Sequence, residues 1–266
     1  MAPVFLVTGA SSGIGAAAAR RLADEPGAEL VLVARREERL RALAGSLPVP
    51  ASRVAVDLTD DDAPARVATH VAERHGRLDL LVNNAGASWR GRFADAGWAN
   101  VARTMAINFD AVVRLTEALL PILRRSAPSA IVNVASTAAR VSRPGAGAYS
   151  ASKYALAGWS DALGAEERGH GVHVGLVLPG FIRTEGFPAA ELLARPWTRW
   201  LVSTPEVAAE AIVDAGLRGR AERYVPRPYG LIAVLRVVAP GLVRRIVAGR
   251  GGAAMTTATK PGASRR

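Results

Sequence analysis

The sequence contains no cysteine, and only Lys153 and Lys260 among its 34 basic residues are lysine. The first absence excludes structural disulfides, thiolate zinc sites and cysteine nucleophiles, so any catalysis must use other groups. It also agrees with a cytoplasmic setting. The second leaves 34 − 2 = 32 arginines and makes each lysine position a question. No stretch reaches the ~18 to 20 uncharged apolar residues that a membrane-spanning helix needs. The nearest, residues 229–249, is broken by Arg236, Pro240, Arg244 and Arg245. The opening MAPVFLVTGA has no basic region before its apolar run and leads into a glycine-rich turn, so it reads as a first strand and not as a secretory signal. Internal repeats and dividing linkers are missing as well.

What is present suits one large domain: 266 residues, half of them hydrophobic. The net charge of +11 is spread along the chain without dense basic blocks, which points to a GC-rich genome and to no specific nucleic-acid partner. Short β-branched runs alternate with longer segments of helical period, the pattern of βαβ units and a parallel sheet covered on both faces. Strands are predicted at 3–8, 28–34, 52–57, 78–83, 129–135, 172–178 and 222–226, with helices near 13–25, 36–45, 60–75, 98–126, 149–169 and 205–219. Thr204 before Pro205 reads as a helix start. Residues 1–228 are expected to form the domain, with a substrate lid near 186–203, an apolar and basic helical extension at 229–249 and a disordered tail at 250–266.

The first strand ends in TGASSGIG, residues 8–15, and a helical segment follows at once. Gly9, Gly13 and Gly15 let the backbone approach a diphosphate, and the free amides at the helix start favour its charge. The spacing is GxxxGxG, not the common GxGxxG. After the second strand, where a dinucleotide site places its discriminating side chain, stand Arg35 and Arg36. A guanidinium grips a 2′-phosphate, whereas NAD would call for an acid, so NADP(H) is favoured over NAD(H). Asp57, closing the third strand, has two open roles: accepting from an adenine amino group or capping the next helix.

Tyr149 and Lys153 are four residues apart in YSASK, which puts them on one face of a helix, a turn from each other. An ammonium beside a phenol favours the phenolate, and such a tyrosine exchanges protons with an alcohol or carbonyl. Lysine's compact charge also suits holding a ribose diol, which a planar arginine would not do.

With NNAG at 83–86, Ser136 in NVAST and PGFIRT at 179–184 added to these, the chain resembles the short-chain dehydrogenase/reductase family over roughly residues 3–226. The resemblance implies a three-layer Rossmann-type α/β fold, a doubly wound parallel sheet of about seven strands in the order 3-2-1-4-5-6-7. It implies that Tyr149 is the acid/base, that Lys153 binds the nicotinamide ribose, that Ser136 holds the substrate oxygen, and that Asn108 supports a water-linked proton relay to the lysine. Ala111 departs from the family's usual glycine three residues after that asparagine. The implied cofactor contacts are Gly9, Ser11, Ser12, Gly13, Ile14, Gly15, Arg35, Arg36, Asp57, Leu58, Asn84, Ala85 and Gly86 toward the adenosine end. Pro179, Gly180, Ile182 and Thr184 join Tyr149 and Lys153 at the nicotinamide end.

The expected reaction is oxidoreduction between a secondary alcohol and a ketone with no metal, in a homodimer or homotetramer. Trp89, Phe93, Phe187, Trp197 and Trp200 are candidates to wall a pocket for an apolar alcohol or ketone. His70, His75, His170 and His173 fall outside the motifs and read as surface or helix-end residues. Residues 229–249 are read either as a peripheral membrane contact or as a helix docked on protein. The competing reading is a cofactor-binding regulatory or scaffold protein, against which the intact Asn108, Ser136, Tyr149 and Lys153 set argues.

Overall fold

A computed structural model of the chain describes residues 2–185, 194 and 199–248. Seven parallel strands form one sheet: β1 (Val4–Thr8), β2 (Glu29–Ala34), β3 (Ala51–Ala55), β4 (Leu80–Asn83), β5 (Ser129–Val134), β6 (Val172–Pro179) and β9 (Glu222–Val225), in the spatial order β3-β2-β1-β4-β5-β6-β9. Each lies within a residue or two of its predicted span. The order is the expected one once two short strands, β7 (Phe181–Ile182) and β8 (Val202–Ser203), are counted; they pair with each other apart from the main sheet.

The strands are apolar on both faces because helices cover both faces. Phe5 and Val7 of β1 pack with Ala18 and Leu22 of α1 (Gly13–Leu22), Leu40 of α2 (Glu37–Ser46) and Ile212 of α7 (Pro205–Gly216). The alternate residues Val4 and Leu6 face Val67 of α3 (Ala63–Arg74) and Leu115 and Leu119 of α5 (Ala111–Arg125). The longest helix, α6 (Gly147–Glu167), lies against β6.

The predicted helix over 98–126 is interrupted. Helix α4 (Phe93–Met105) starts earlier and bends at Gly97, whose φ of +56° favours glycine, and a π-helical turn at Ala106–Asp110 separates it from α5. Ala111 is buried in the lower core just after that turn. Thr204 does occupy the N-cap of α7, but its hydroxyl bonds the Glu206 side chain and makes no cap bond to a helix amide; the Glu206 carboxylate accepts from its own amide instead. The 229–249 extension divides at Pro240 into α8 (Tyr229–Val238) and α9 (Pro240–Ala248). The expected tail and most of the expected lid lie outside the described residues; Arg199–Leu201 form a 3₁₀ turn leading into β8.

Candidate active site

The crossover between β1 and β4 opens a cleft at their carboxyl ends. Thr8 ties the two strand ends: its Oγ1 accepts from the amides of Asn84 (2.9 Å) and Ala85 (3.0 Å) and donates to Val82 O (3.2 Å). Asn84 Nδ2 returns a bond to Thr8 O at 2.9 Å. The turn then enters α1 so tightly that a Cβ on Gly15 would lie 2.3 Å from Gly9 O and 2.6 Å from Asn84 Nδ2. Gly15 is therefore required by the fit of α1 against its own turn, and Gly9 (φ +66°) and Gly13 (φ +55°) by backbone conformation. Gly13 also meets Thr184, its Cβ position 3.2 Å from the threonine methyl, so the turn and the segment after β6 face each other across the cleft.

At the start of α1, Ser12 sits at the N-cap with no side-chain cap bond, and the first turn carries no acid. Free amides therefore face the cleft where a diphosphate would lie. Arg36 closes over this turn, with Nη2 donating to Ser11 Oγ (2.9 Å) and Ser12 Oγ (3.0 Å). Arg35 is three-quarters exposed and reaches Asp57 at 3.4 Å, an ion pair of small worth at the surface. Asp57 does not cap α3, whose N-cap is Asp62; it holds a local turn by accepting from Thr59 N and Thr59 Oγ1. Burial pushes its carboxyl up, but the bonds from Thr59 and the nearby Arg35 outweigh that and leave it below the usual range. Leu58 is buried in the lower core, and Ala85 and Ile14 are partly buried against the sheet.

Ser136 follows β5, and its Oγ donates to Pro179 O (3.2 Å) and accepts from Ala138 N (3.1 Å). The Tyr149 phenol shares a hydrogen bond with this hydroxyl. Lys153 is 4 % exposed, with Nζ donating to Val134 O at 2.9 Å and lying 5.9 Å from the centre of the Tyr149 ring. Asn108, fully buried in the π turn, pairs both ways with Ala87: Ala87 N donates to Oδ1 (2.8 Å), and Nδ2 donates to Ala87 O (2.9 Å) and Ser152 Oγ (3.0 Å). Gly86 is the neighbour that lets Asn108 and Lys153 approach, because a Cβ there would lie 2.8 Å from Asn108 Oδ1 and 3.6 Å from Lys153 Nζ. All four residues thus converge at one end of the cleft. Asn83, the other asparagine of NNAG, instead joins Thr116 and Asn133 in the protein interior.

The electrostatics differ from the expectation that Lys153 acidifies Tyr149. Burial holds the phenol above its ordinary value, and the groups that oppose this are Ser136, Arg143 and Arg90. Burial also lowers Lys153 to about 8, so its ammonium is itself weakly held. Tyr149 is consequently a phenol at neutral pH.

Beside Ser136 lies a cavity of about 210 Å³ whose aromatic walls are Phe181, Tyr224 and Tyr229, closed by Ile232, Ala233 and Ile246 of α8 and α9. These are not the expected aromatics. Phe93 and Trp200 are 73 % and 52 % exposed, Trp89 lies under Arg103, and Phe187 and Trp197 lie outside the described residues. Tyr229 packs so closely on Gly180 that a Cβ there would lie 2.5 Å from its ring. A larger hollow of about 430 Å³ along α6 and β6 contains none of the site residues. The sequence reading missed Thr8, Ser152, Arg90, Arg143, Tyr224 and Tyr229. It also placed His75 at the surface or a helix end; it does end α3, but buried, between Glu29 and Ser52.

A doubly wound sheet with a serine, tyrosine and lysine converging beside a glycine turn defines a dinucleotide-type oxidoreductase cleft. A family model described as short chain dehydrogenase matches residues 3–191. Dehydrogenase/reductase SDR family member 7B from Bos taurus is 33 % identical over 267 residues, covering 93 % of this chain and 81 % of its own. Granaticin polyketide synthase putative ketoacyl reductase 1 from Streptomyces violaceoruber is 39 % identical over 213 residues, covering 77 % and 76 %. A crystal structure of a short-chain dehydrogenase from Streptomyces avermitilis superposes with a TM-score of 0.75 at 32 % identity, over 89 % of this chain and 94 % of that one. The chain belongs to the short-chain dehydrogenase/reductase family, oxidoreductases that act on alcohols and carbonyls with a nicotinamide cofactor.

Proposed function

We propose that the protein is an NADP(H)-dependent carbonyl reductase or alcohol dehydrogenase that interconverts a ketone and a secondary alcohol. The observation that carries this reading is the Tyr149 phenol, a short distance from Lys153 and hydrogen-bonded with Ser136, which itself lines a largely apolar cavity. The free amides of α1 suit the diphosphate, Ser11, Arg35 and Arg36 suit a 2′-phosphate, and Thr184 and Gly180 border the other end of the cleft. When bound, the reduced nicotinamide supplies two electrons and a hydrogen to the carbonyl carbon.

The chain's own residues then handle the oxygen and the proton. Ser136 orients the carbonyl oxygen by a hydrogen bond, and Tyr149 gives its proton to that oxygen as the C=O bond becomes CH–OH. Lys153 stabilises the phenolate left behind and, with Asn108, holds the path by which a proton returns. A raised phenol pKa keeps the proton on Tyr149 at neutral pH, the state that proton donation to a carbonyl requires. The cavity walls favour a substrate with an apolar body. The exposed apolar side chains of α8 and α9, with Arg236, Arg244 and Arg245 among them, are read as a surface that rests on anionic lipid. Assembly into a homodimer or homotetramer accompanies this reading.

The test is NADPH consumption, followed by absorbance, over a panel of ketones. Turnover in wild type that Tyr149→Phe abolishes supports an enzyme; tight NADPH binding with no turnover on any carbonyl would favour the scaffold alternative.

A further inference from the structure

Two arginines that the sequence reading passed over stand beside the phenol. The amide of Gly91 donates to Gly145 O (3.0 Å), which pins the loop carrying Arg90 against the loop carrying Arg143. Both guanidinium charges reach Tyr149, and Arg143 also feels the charge of Arg90. Arg143 lines the same cavity as Ser136, and its guanidinium stacks 4.8 Å above the centre of the Phe181 ring. Its neighbour on the cavity wall, Arg140, is neutralised by Glu222 at 2.9 Å. Arg143 has no such acid among the described residues; the ionisable groups facing it are Arg90, Tyr149 and Tyr229. Burial and Arg90 both oppose its charge. A guanidinium fixed by an aromatic ring, inside a largely apolar cavity whose other arginine is already paired with an acid, and repelled by Arg90, is poised for an anion brought in by the substrate.

We propose that the substrate is an anionic amphiphile: Arg143 binds a carboxylate or phosphate lying a few bonds from the ketone, while the apolar remainder extends along Phe181 toward Ile232 and Ile246. This deepens the reductase reading and rests on it. Arg143 is a specificity-determining residue in this assignment, with Arg90 adding to the positive potential at Tyr149.

The experiment compares matched pairs of ketones with NADPH: 3-oxodecanoate against its methyl ester, and 4-oxodecyl phosphate against 4-oxodecanol. Wild type should prefer the anion of at least one pair by about 10- to 100-fold in kcat/KM, mostly through KM. The preferred pair identifies the head group. Arg143→Gln should collapse that ratio to near unity and Arg143→Lys should restore part of it, which a purely structural role would not do. Equal or ester- and alcohol-favouring ratios in wild type would overturn the assignment. Should no carbonyl be reduced at all, the reductase reading fails separately. Calorimetric titration with decanoate and decyl phosphate against decanol then decides the anion site: binding of an anion weakened by Arg143→Gln upholds it, and no preference for either anion ends it.

Discussion

Lys153 is the residue where function and stability oppose each other most directly. Its folded-state pKa of about 8 lies below the ordinary 10.5, so the unfolded chain binds this proton more tightly. The charge therefore costs stability below about pH 8, and the cost fades as pH rises from about 8 toward 10.5. A gap of that size corresponds to about 3 kcal/mol, reduced by about 1 kcal/mol for the hydrogen bond to Val134 O. Lys153→Met is expected to be inactive yet about 2 kcal/mol more stable in urea unfolding near neutral pH, with the advantage shrinking at alkaline pH. A variant less stable than wild type at neutral pH would contradict the buried-ammonium account. Tyr149→Phe, which keeps the ring and removes only the proton donor, should lose about 10²- to 10⁴-fold in kcat with a modest change in cofactor affinity. At the other end of the cleft, Arg36→Ala should weaken NADP binding about 10- to 100-fold and NAD binding far less, measured by fluorescence titration of the reduced cofactors. Wild-type protein that binds both cofactors equally would refute the NADP assignment.

Elements position these side chains through close backbone fits. The contact between α1 and its preceding turn leaves no room at Gly15, so Gly15→Ala should cost about 1 to 3 kcal/mol in chemical denaturation and distort the cofactor cradle. Gly45, exposed near the end of α2 with no atom within 4 Å of its Cβ position, provides the opposite case. Gly45→Ala should stabilise by about 0.5 to 1 kcal/mol through the unfolded chain. Comparable losses at the two positions would show that Gly15 is a matter of helix propensity and not of space. The π turn between α4 and α5 works in the same local way: an extra residue in one turn swings Asn108 inward to the Ala87 backbone and Ser152.

At the scale of the whole molecule, α8 and α9 have two faces with different tasks. Tyr229, Ile232, Ala233 and Ile246 close the cavity over Ser136 and Gly180, while Leu231, Val234, Val237, Val238 and Leu242 are exposed. A lipid surface under those exposed side chains would lie next to the cavity proposed to take the apolar part of the substrate. Removing the whole segment would open the cavity, so the informative variant is the double substitution Val237→Glu with Leu242→Glu, both outside the cavity lining. Wild type should co-sediment with phosphatidylglycerol vesicles and the variant should not, with ketone turnover in detergent-free buffer retained. If the substitutions instead lower the mass seen by light scattering and wild type ignores vesicles, this face is a subunit contact.

The sequence by itself determined the strands, most helices and the motifs from which the candidate site is built, because these depend on information that is local or regularly spaced. Two-sided apolar runs such as VFLVT and ELVLVA mark buried parallel strands, and a tyrosine four residues before a lysine shares a helix face wherever the helix lies. The tertiary structure decided which groups control the phenol and what lines the cavity. Arg90 and Arg143 are two arginines among 32 in sequence, and only the Gly91–Gly145 contact places them beside Tyr149. Tyr224 and Tyr229 reach the cavity only because β9 adds to the sheet beside β6 and α8 folds back over Gly180. The sign of the Tyr149 shift was likewise out of reach of spacing, since desolvation sums over every element that surrounds the ring, while four-residue spacing reports one neighbour.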